Sequence, residues 1–94
     1  NLVDAKLATA NLSRAKLSEA RLAGADPYGA NLEGADLRGA DLRRSKLAQA
    51  DLQGADLREA DLFRADFRDA DLREANLEMI AFGGQRFCDY INVA

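Results

Sequence analysis

Leucine recurs at every fifth position along most of the chain. All fourteen leucines share one register, at positions 2, 7, 12, 17, 22, 32, 37, 42, 47, 52, 57, 62, 72 and 77, and Pro27 and Phe67 fill the two gaps. Alanine stands two residues before these positions from Ala5 to Ala75, with Ser45 as the single substitute. Each repeat is therefore an Ala-polar-Leu unit followed by two variable residues, and the polar residue is Asp, Asn, Lys or Arg.

This period excludes both regular secondary structures. In an α-helix, five residues at roughly 100° each would leave successive leucines about 140° apart, scattered around the whole circumference. In one long strand, apolar positions separated alternately by two and three residues would change face at every repeat. We therefore predict a short extended piece with Ala and Leu on one side, followed by a two-residue corner.

The repeat resembles the A-(D/N)-L-x-x motif of the pentapeptide-repeat family, over residues 1 to about 84. The resemblance implies an all-β fold, a right-handed quadrilateral parallel β-helix (solenoid) in which about four repeats close one coil of about twenty residues. We expect about four to five coils stacked about 4.8 Å apart. Alanine would be required where neighbouring backbones run too close for a larger side chain.

The pattern divides the chain into two parts. Residues 1–79 are predicted to form the pentapeptide-repeat β-helix, and residues 80–94 a degenerate last coil or C-terminal cap, because Gly83 and Gly84 break the register. The chain begins inside a repeat, so we expect it to be part of a larger protein. Either preceding coils or a second molecule stacked end to end would cover the apolar first coil. The contact residues would be Leu2, Leu7, Leu12 and Leu17.

Glycine and proline mark special positions in the repeat. Glycine occupies the last position at 24, 29, 34, 39 and 54, where a type II turn requires a positive φ. We predict type II turns there, and other turn types where Arg, Glu or Gln takes this position. Pro27 replaces a leucine and has no N–H, so its side should lose one backbone hydrogen bond and leave the core underfilled.

Composition and charge exclude several classes of function. No apolar run approaches the roughly 20 residues of a membrane span, so we predict none in this fragment. Thirteen basic and sixteen acidic residues are interspersed and give a net charge of -3, which argues against direct nucleic-acid binding.

Few residues are candidates for catalysis or for binding a metal. The chain has no histidine, and Cys88 is its one cysteine, so no base stands ready to activate a nucleophile. We predict no enzyme, no cofactor and no metal. Eight aspartates lie between Ala and Leu and point outward, but the repeat consensus explains them better than metal binding does. They are residues 26, 36, 41, 51, 56, 61, 66 and 71.

Two surface patterns depart from the consensus. The second side of the coil carries alternating charges at Lys6, Asp26, Lys46, Asp66 and Arg86, which we interpret as cross-strand pairs that fix the register.

The first side carries the most basic group, and we predict it to be the partner surface. Its residues are Arg21, Arg43, Arg44, Phe63 and Arg64. The alternative is scattered surface charge beside one exposed aromatic ring, which is ordinary.

Two functions remain. The first is a non-enzymatic structural or protein–protein interaction module with a protein partner that the sequence does not identify. The second comes from the family resemblance, which implies that some acidic members mimic DNA and inhibit or protect DNA gyrase. A net charge of -3 and an arginine-rich side make a poor copy of a duplex that carries one charge per roughly 1.7 Å.

Overall fold

A computed structural model describes residues 1–80, which form a stack of parallel coils. Every backbone bridge among them is parallel and joins residues twenty positions apart, as between Lys6 and Asp26 or between Asp36 and Asp56. Four repeats therefore close one coil, and the coils are residues 1–20, 21–40, 41–60 and 61–80. This is the coil length that the family resemblance implied. Apart from Ile80, which packs against the core, the predicted cap, with Arg86 and Cys88, lies outside the described residues.

The stack has four faces, each built from one repeat of every coil. The first face consists of residues 1–5, 21–25, 41–45 and 61–65, and each following face begins five residues later. Within residues 1–80 no helix forms, and each repeat contributes isolated bridge positions instead of a longer strand. The extended part of each repeat is therefore too short to form a regular strand.

Backbone hydrogen bonds join each coil to the next. The Leu37 amide donates to the carbonyl of Asp56 in the following coil at 2.8 Å, and the Asp36 amide donates to the carbonyl of Ala15 in the preceding coil at 2.9 Å. The same pattern recurs at almost every repeat. Since buried backbone groups must be paired, this ladder holds neighbouring coils in register.

All sixteen corners of residues 1–80 have a positive φ at the last position of the repeat. The five glycines have φ of 64–69°, and the eleven other residues, among them Arg44 and Glu59, have φ of 58–63°. Positive φ at this position alone is the signature of a type II turn, so the prediction for the glycine corners is confirmed. The prediction of other turn types at Arg, Glu and Gln is wrong.

Stacking explains why the non-glycine corners adopt the same conformation. The corner amide of each coil donates to a corner carbonyl of the next, as Arg44 does to Phe63 at 2.9 Å. A corner of another shape would break this bond and the closing bond from Ser45 to Leu42. The left-handed conformation costs roughly 1–2 kcal/mol for a residue with a Cβ, and the backbone bonds of the stack offset that cost.

The outward Asp and Asn residues cap the corners. The first corner residue of a repeat donates its amide to no backbone acceptor within residues 1–80. Wherever Asp or Asn precedes the leucine, its Oδ1 accepts that amide, for example from Gln53 to Asp51 at 3.0 Å and from Glu33 to Asn31 at 3.0 Å. This side-chain turn gives the consensus aspartate a structural role that needs no metal.

Leucine and alanine fill the interior of the stack, as predicted. Mid-stack leucines such as Leu37 and Leu57 and alanines such as Ala35 and Ala55 are completely buried. Ser45 is buried at an alanine position, and its hydroxyl donates to the Leu42 carbonyl at 2.7 Å. Within residues 1–80 no buried side-chain nitrogen or oxygen lacks a hydrogen-bond partner, so the core contains no polar defect.

Pro27 leaves the core underfilled, as the sequence predicts. It is buried at its leucine position and borders an apolar void of about 10 Å³, whose other lining residues are leucines of the first three coils. Its side also lacks the backbone hydrogen bond that a residue with an N–H would donate to the Lys46 carbonyl. A void of this size is too small to hold a water molecule comfortably.

Candidate functional site

Five repeats pair an aspartate with the arginine two residues later. In Asp41-Leu42-Arg43, the Arg43 amide donates to Asp41 Oδ1 at 3.2 Å. The Arg43 guanidinium then donates from Nε to Oδ1 at 2.8 Å and from Nη2 to Oδ2 at 2.7 Å. We call each such unit an Asp-Arg clip. The clips are 36/38, 41/43, 56/58, 66/68 and 71/73.

The clips stabilise the ionised carboxylates. The side-chain hydrogen bond from Arg38, followed by the Arg38 backbone amide, lowers the pKa of Asp36 to about 2. The side-chain hydrogen bond of the partner arginine likewise lowers the pKa of Asp41, Asp56, Asp66 and Asp71. Five of the eight outward aspartates therefore carry their own counter-charge.

Most of the predicted basic group lies at one corner of the first face, which is lined by Arg43, Arg44 and Phe63. Phe63 is half-buried and Arg44 is exposed. The Arg64 guanidinium lies over the Phe63 ring, 5.3 Å from its centroid, a cation–π contact. Arg43 belongs to a clip, whereas within residues 1–80 no carboxylate lies within 4.0 Å of the Arg21, Arg44 or Arg64 guanidinium.

A depression of about 340 Å³ opens at this corner. Its floor is the corner Ala23-Gly24, the smallest residue pair in its column, and larger residues of the neighbouring coils rise on both sides. We call it the first-face notch. It is lined by Val3, Asp4, Ala23, Gly24, Arg43, Arg44 and Phe63.

Three of the seven residues that line the notch were predicted from the sequence, and four were missed. Arg43, Arg44 and Phe63 were predicted from charge, whereas Val3, Asp4, Ala23 and Gly24 were not. Their signal was present in the sequence, since residues twenty positions apart stack. The column Val3, Ala23, Arg43, Phe63 places a small residue between larger ones.

The predicted charge ladder on the second face does not form side-chain pairs among the described residues. The backbones of Lys6 and Asp26, and of Lys46 and Asp66, are bridged, but no ion pair within 4.0 Å joins these side chains. Asp66 pairs instead with Arg68 at 2.7 Å, because the clip within one repeat requires no reach between coils. Register on this face therefore depends on the backbone.

The four leucines of the predicted end-to-end contact belong to the first coil. Leu2, Leu7, Leu12 and Leu17 are half-buried and pack on the core, while leucines in the middle of the stack are fully buried. That these four meet a second molecule stays a prediction. Equilibrium sedimentation at several concentrations tests it, and a monomer throughout would contradict it.

The described residues offer little for other chemistry. Among residues 1–80 no group of three or more His, Cys, Asp or Glu side chains is arranged to hold a metal ion. No helix in this part of the chain is long and apolar enough to cross a membrane. Depressions of about 340 and 420 Å³ also lie beside Glu59, and the notch differs from them in having an aromatic ring, Phe63, in its lining.

The chain belongs to the pentapeptide-repeat family. The family described as pentapeptide repeats matches residues 5–49 and 40–78, in eight copies. No curated protein matches the chain. Proteins of this family form right-handed quadrilateral β-helices, the architecture that the resemblance implied.

Solved pentapeptide repeat proteins are similar to this chain over most of its length. One from the thylakoid lumen of Arabidopsis thaliana is 32% identical with a TM-score of 0.76, and the match covers 89% of this chain and 53% of that one. One from the cyanobacterium Cyanothece 51142 is 34% identical with a TM-score of 0.64, covering 84% and 50%. One from Nostoc PCC 7120 is 35% identical with a TM-score of 0.53, covering 95% and 84%. The chain thus spans about half the length of the first two.

Proposed function

We propose that this chain is a non-enzymatic interaction module of a larger protein, and that its first face contacts a protein partner. The observation that carries the proposal is the first-face notch, where Arg44 stands without a carboxylate partner among residues 1–80. Elsewhere Arg38, Arg58, Arg68 and Arg73 are neutralised within their own repeats. An uncompensated charge beside a depression is the kind of site that a partner group completes.

The core architecture supports an interaction role over an enzymatic one. We take the stack to be the right-handed quadrilateral β-helix of its family, filled along its axis by leucine and alanine. Catalytic sites are concave and hold several converging polar groups. The interior of this stack is apolar, so contacts with other molecules are made from its outer faces and ends.

The DNA-mimicry hypothesis receives no support from the surface. A duplex mimic needs a continuous array of negative charge. Here the Asp-Arg clips break up that array on all four faces, because clips occur at residues 36, 41, 56, 66 and 71. We therefore propose the interaction module alone.

Charge reversal at two matched corners tests the proposal. Arg44 and Arg14 both occupy the last position of a repeat with φ of 59°, and among residues 1–80 neither has a carboxylate within 4.0 Å. Tagged wild-type, Arg44→Glu and Arg14→Glu chains are used to co-purify partners from cells of the source organism, with quantitative mass spectrometry. We expect a protein retained by wild-type and Arg14→Glu and lost from Arg44→Glu. Equal partner profiles for all three chains would contradict the assignment of the first face.

A further inference from the structure

The shape of the first-face notch limits what can enter it. Gly24 has no side chain; Val3 provides apolar surface one coil before it, and Phe63 provides apolar surface two coils after it, beyond Arg43. Val3 is exposed and Phe63 half-buried. The Asp4 side chain covers Gly24, so the room for an apolar side chain lies beside Ala23, and the notch stays open to solvent along its length.

The cations beside the notch are placed to meet carboxylates. Arg43 is held in a fixed orientation because Asp41 accepts from its Nε and Nη2, which leaves Nη1 without a hydrogen-bond partner among residues 1–80. Arg44 follows directly and has no ion pair in that part of the chain. Because Asp41 already fixes the Arg43 guanidinium, Arg43 loses little conformational entropy when it binds an anion.

One lining residue has the opposite charge. The side chain of Asp4 leans over Gly24, into the space that a Cβ at that glycine would occupy. This carboxylate repels an incoming anion and also shows that a carboxylate fits against the glycine corner. Removing the Asp4 charge should therefore strengthen anion binding, as removing an arginine charge should weaken it.

We propose that the first-face notch binds an acidic peptide segment of the partner protein, with one apolar side chain against Phe63 and neighbouring carboxylates on Arg43 and Arg44. This rests on the proposed function and specifies the chemistry of the partner. The apolar surface distinguishes a peptide from a free anion. Two arginines in the lining can meet two neighbouring carboxylates, but they do not form the broad basic surface that a nucleic acid needs.

Fluorescence anisotropy with synthetic peptides tests the inference directly. The probe is a fluorescein-labelled peptide of alternating Glu and Asp around one central Phe, titrated with the complete 94-residue chain at low salt. The comparison probes carry Ser in place of Phe, or Gln and Asn in place of the acids, and a labelled oligothymidine represents nucleic acid. We expect the acidic Phe peptide to bind at least about tenfold more tightly than every comparison probe.

Three variants locate the site. Arg44→Glu should weaken binding of the acidic Phe peptide about tenfold or more, whereas the matched Arg14→Glu should leave it unchanged. Asp4→Asn should tighten binding by about threefold, because the repelling charge is removed while the side-chain shape is kept. Circular dichroism melts confirm that each variant is folded.

Each other outcome overturns the inference. These outcomes are tighter binding of oligothymidine, equal loss in Arg44→Glu and Arg14→Glu, no effect of Asp4→Asn, or no binding of the acidic probe. If the acidic probe fails while a cellular partner still depends on Arg44, the peptide chemistry is wrong and the proposed interaction face stands. If both experiments fail, the assignment of the first face fails with them.

Discussion

Asp51 offers a clean test of why aspartate and asparagine recur in the repeat. Its Oδ1 accepts the Gln53 amide at 3.0 Å, and within residues 1–80 no arginine or lysine lies within 4.0 Å of its carboxylate. The Gln53 amide has no other acceptor in that part of the chain. Replacing Asp51 therefore removes one hydrogen bond at a corner and leaves the Asp-Arg clips intact.

The expected cost follows from that single bond. Asp51→Ala leaves a half-buried amide without its protein acceptor, which costs about 1 kcal/mol, similar to the loss of a helix N-cap. In a domain of this size that corresponds to a fall in Tm of about 4–8 °C. Asp51→Asn keeps the acceptor oxygen and should melt within about 2 °C of the wild type.

A stabilising substitution at Lys46 provides the reciprocal control. In that repeat the Ala48 amide has no acceptor among residues 1–80, because lysine occupies the capping position. Lys46→Asn should supply one and raise the Tm, whereas Lys46→Gln removes the same charge without a short acceptor and should not. Differential scanning calorimetry measures all four variants. Equal effects of Asn and Ala at 51, or of Asn and Gln at 46, would refute the capping explanation.

The clipped aspartates, Gly54 and Pro27 each offer a further test. The clipped aspartates have pKa values below the ordinary 3.8, about 2 for Asp36, so their stabilisation is complete above about pH 5 and is lost as pH falls toward 2. Replacing all five aspartates by asparagine should remove most of the fall in the urea midpoint over that pH range. Gly54→Ala should cost about 1–2 kcal/mol through its φ of 67° alone, since no atom lies within 4 Å of the added Cβ. Pro27→Leu should stabilise by about 1 kcal/mol, because a new hydrogen bond and added apolar volume outweigh the lost rigidity of proline.

Each of these predictions has a result that would contradict it. An unchanged pH profile in the asparagine variant would show that the clips do not affect stability. A neutral Gly54→Ala in urea denaturation would mean that the corner relaxes without strain. A destabilised Pro27→Leu would show that the void beside Pro27 does not accept a larger side chain.

The five-residue period was sufficient to predict much of the fold. Five-residue spacing excludes a helix and a long strand for geometric reasons, and the buried positions of Leu37 and Ala55 followed from the pattern alone. The missing backbone hydrogen bond at Pro27 was correctly predicted because the absence of an N–H is a property of the residue itself. The coil length of four repeats came from the family resemblance.

The corners were predicted less well, because local propensity is not what sets them. Glycine at 24 and 54 indicated positive φ correctly, but Arg44 and Glu59 adopt the same conformation. Local preference alone would have assigned them another turn. The hydrogen bonds between stacked corners outweigh that preference, and they are visible only when the coils are assembled.

The candidate site also combines features that the sequence predicts with features that only the assembled coils show. The register, the apolar core and the excess of arginine on the first face could be predicted from the sequence, since these depend on the spacing and chemistry of single residues. Tertiary structure alone decided which charges remain available. Arg43 is held by Asp41, Arg64 lies over Phe63, and Arg44 stands unpaired among residues 1–80 beside a notch whose floor is Gly24. The clip of Arg43 follows from a spacing of two residues within one repeat, whereas the directions of the Arg44 and Arg64 side chains depend on what the neighbouring coils present.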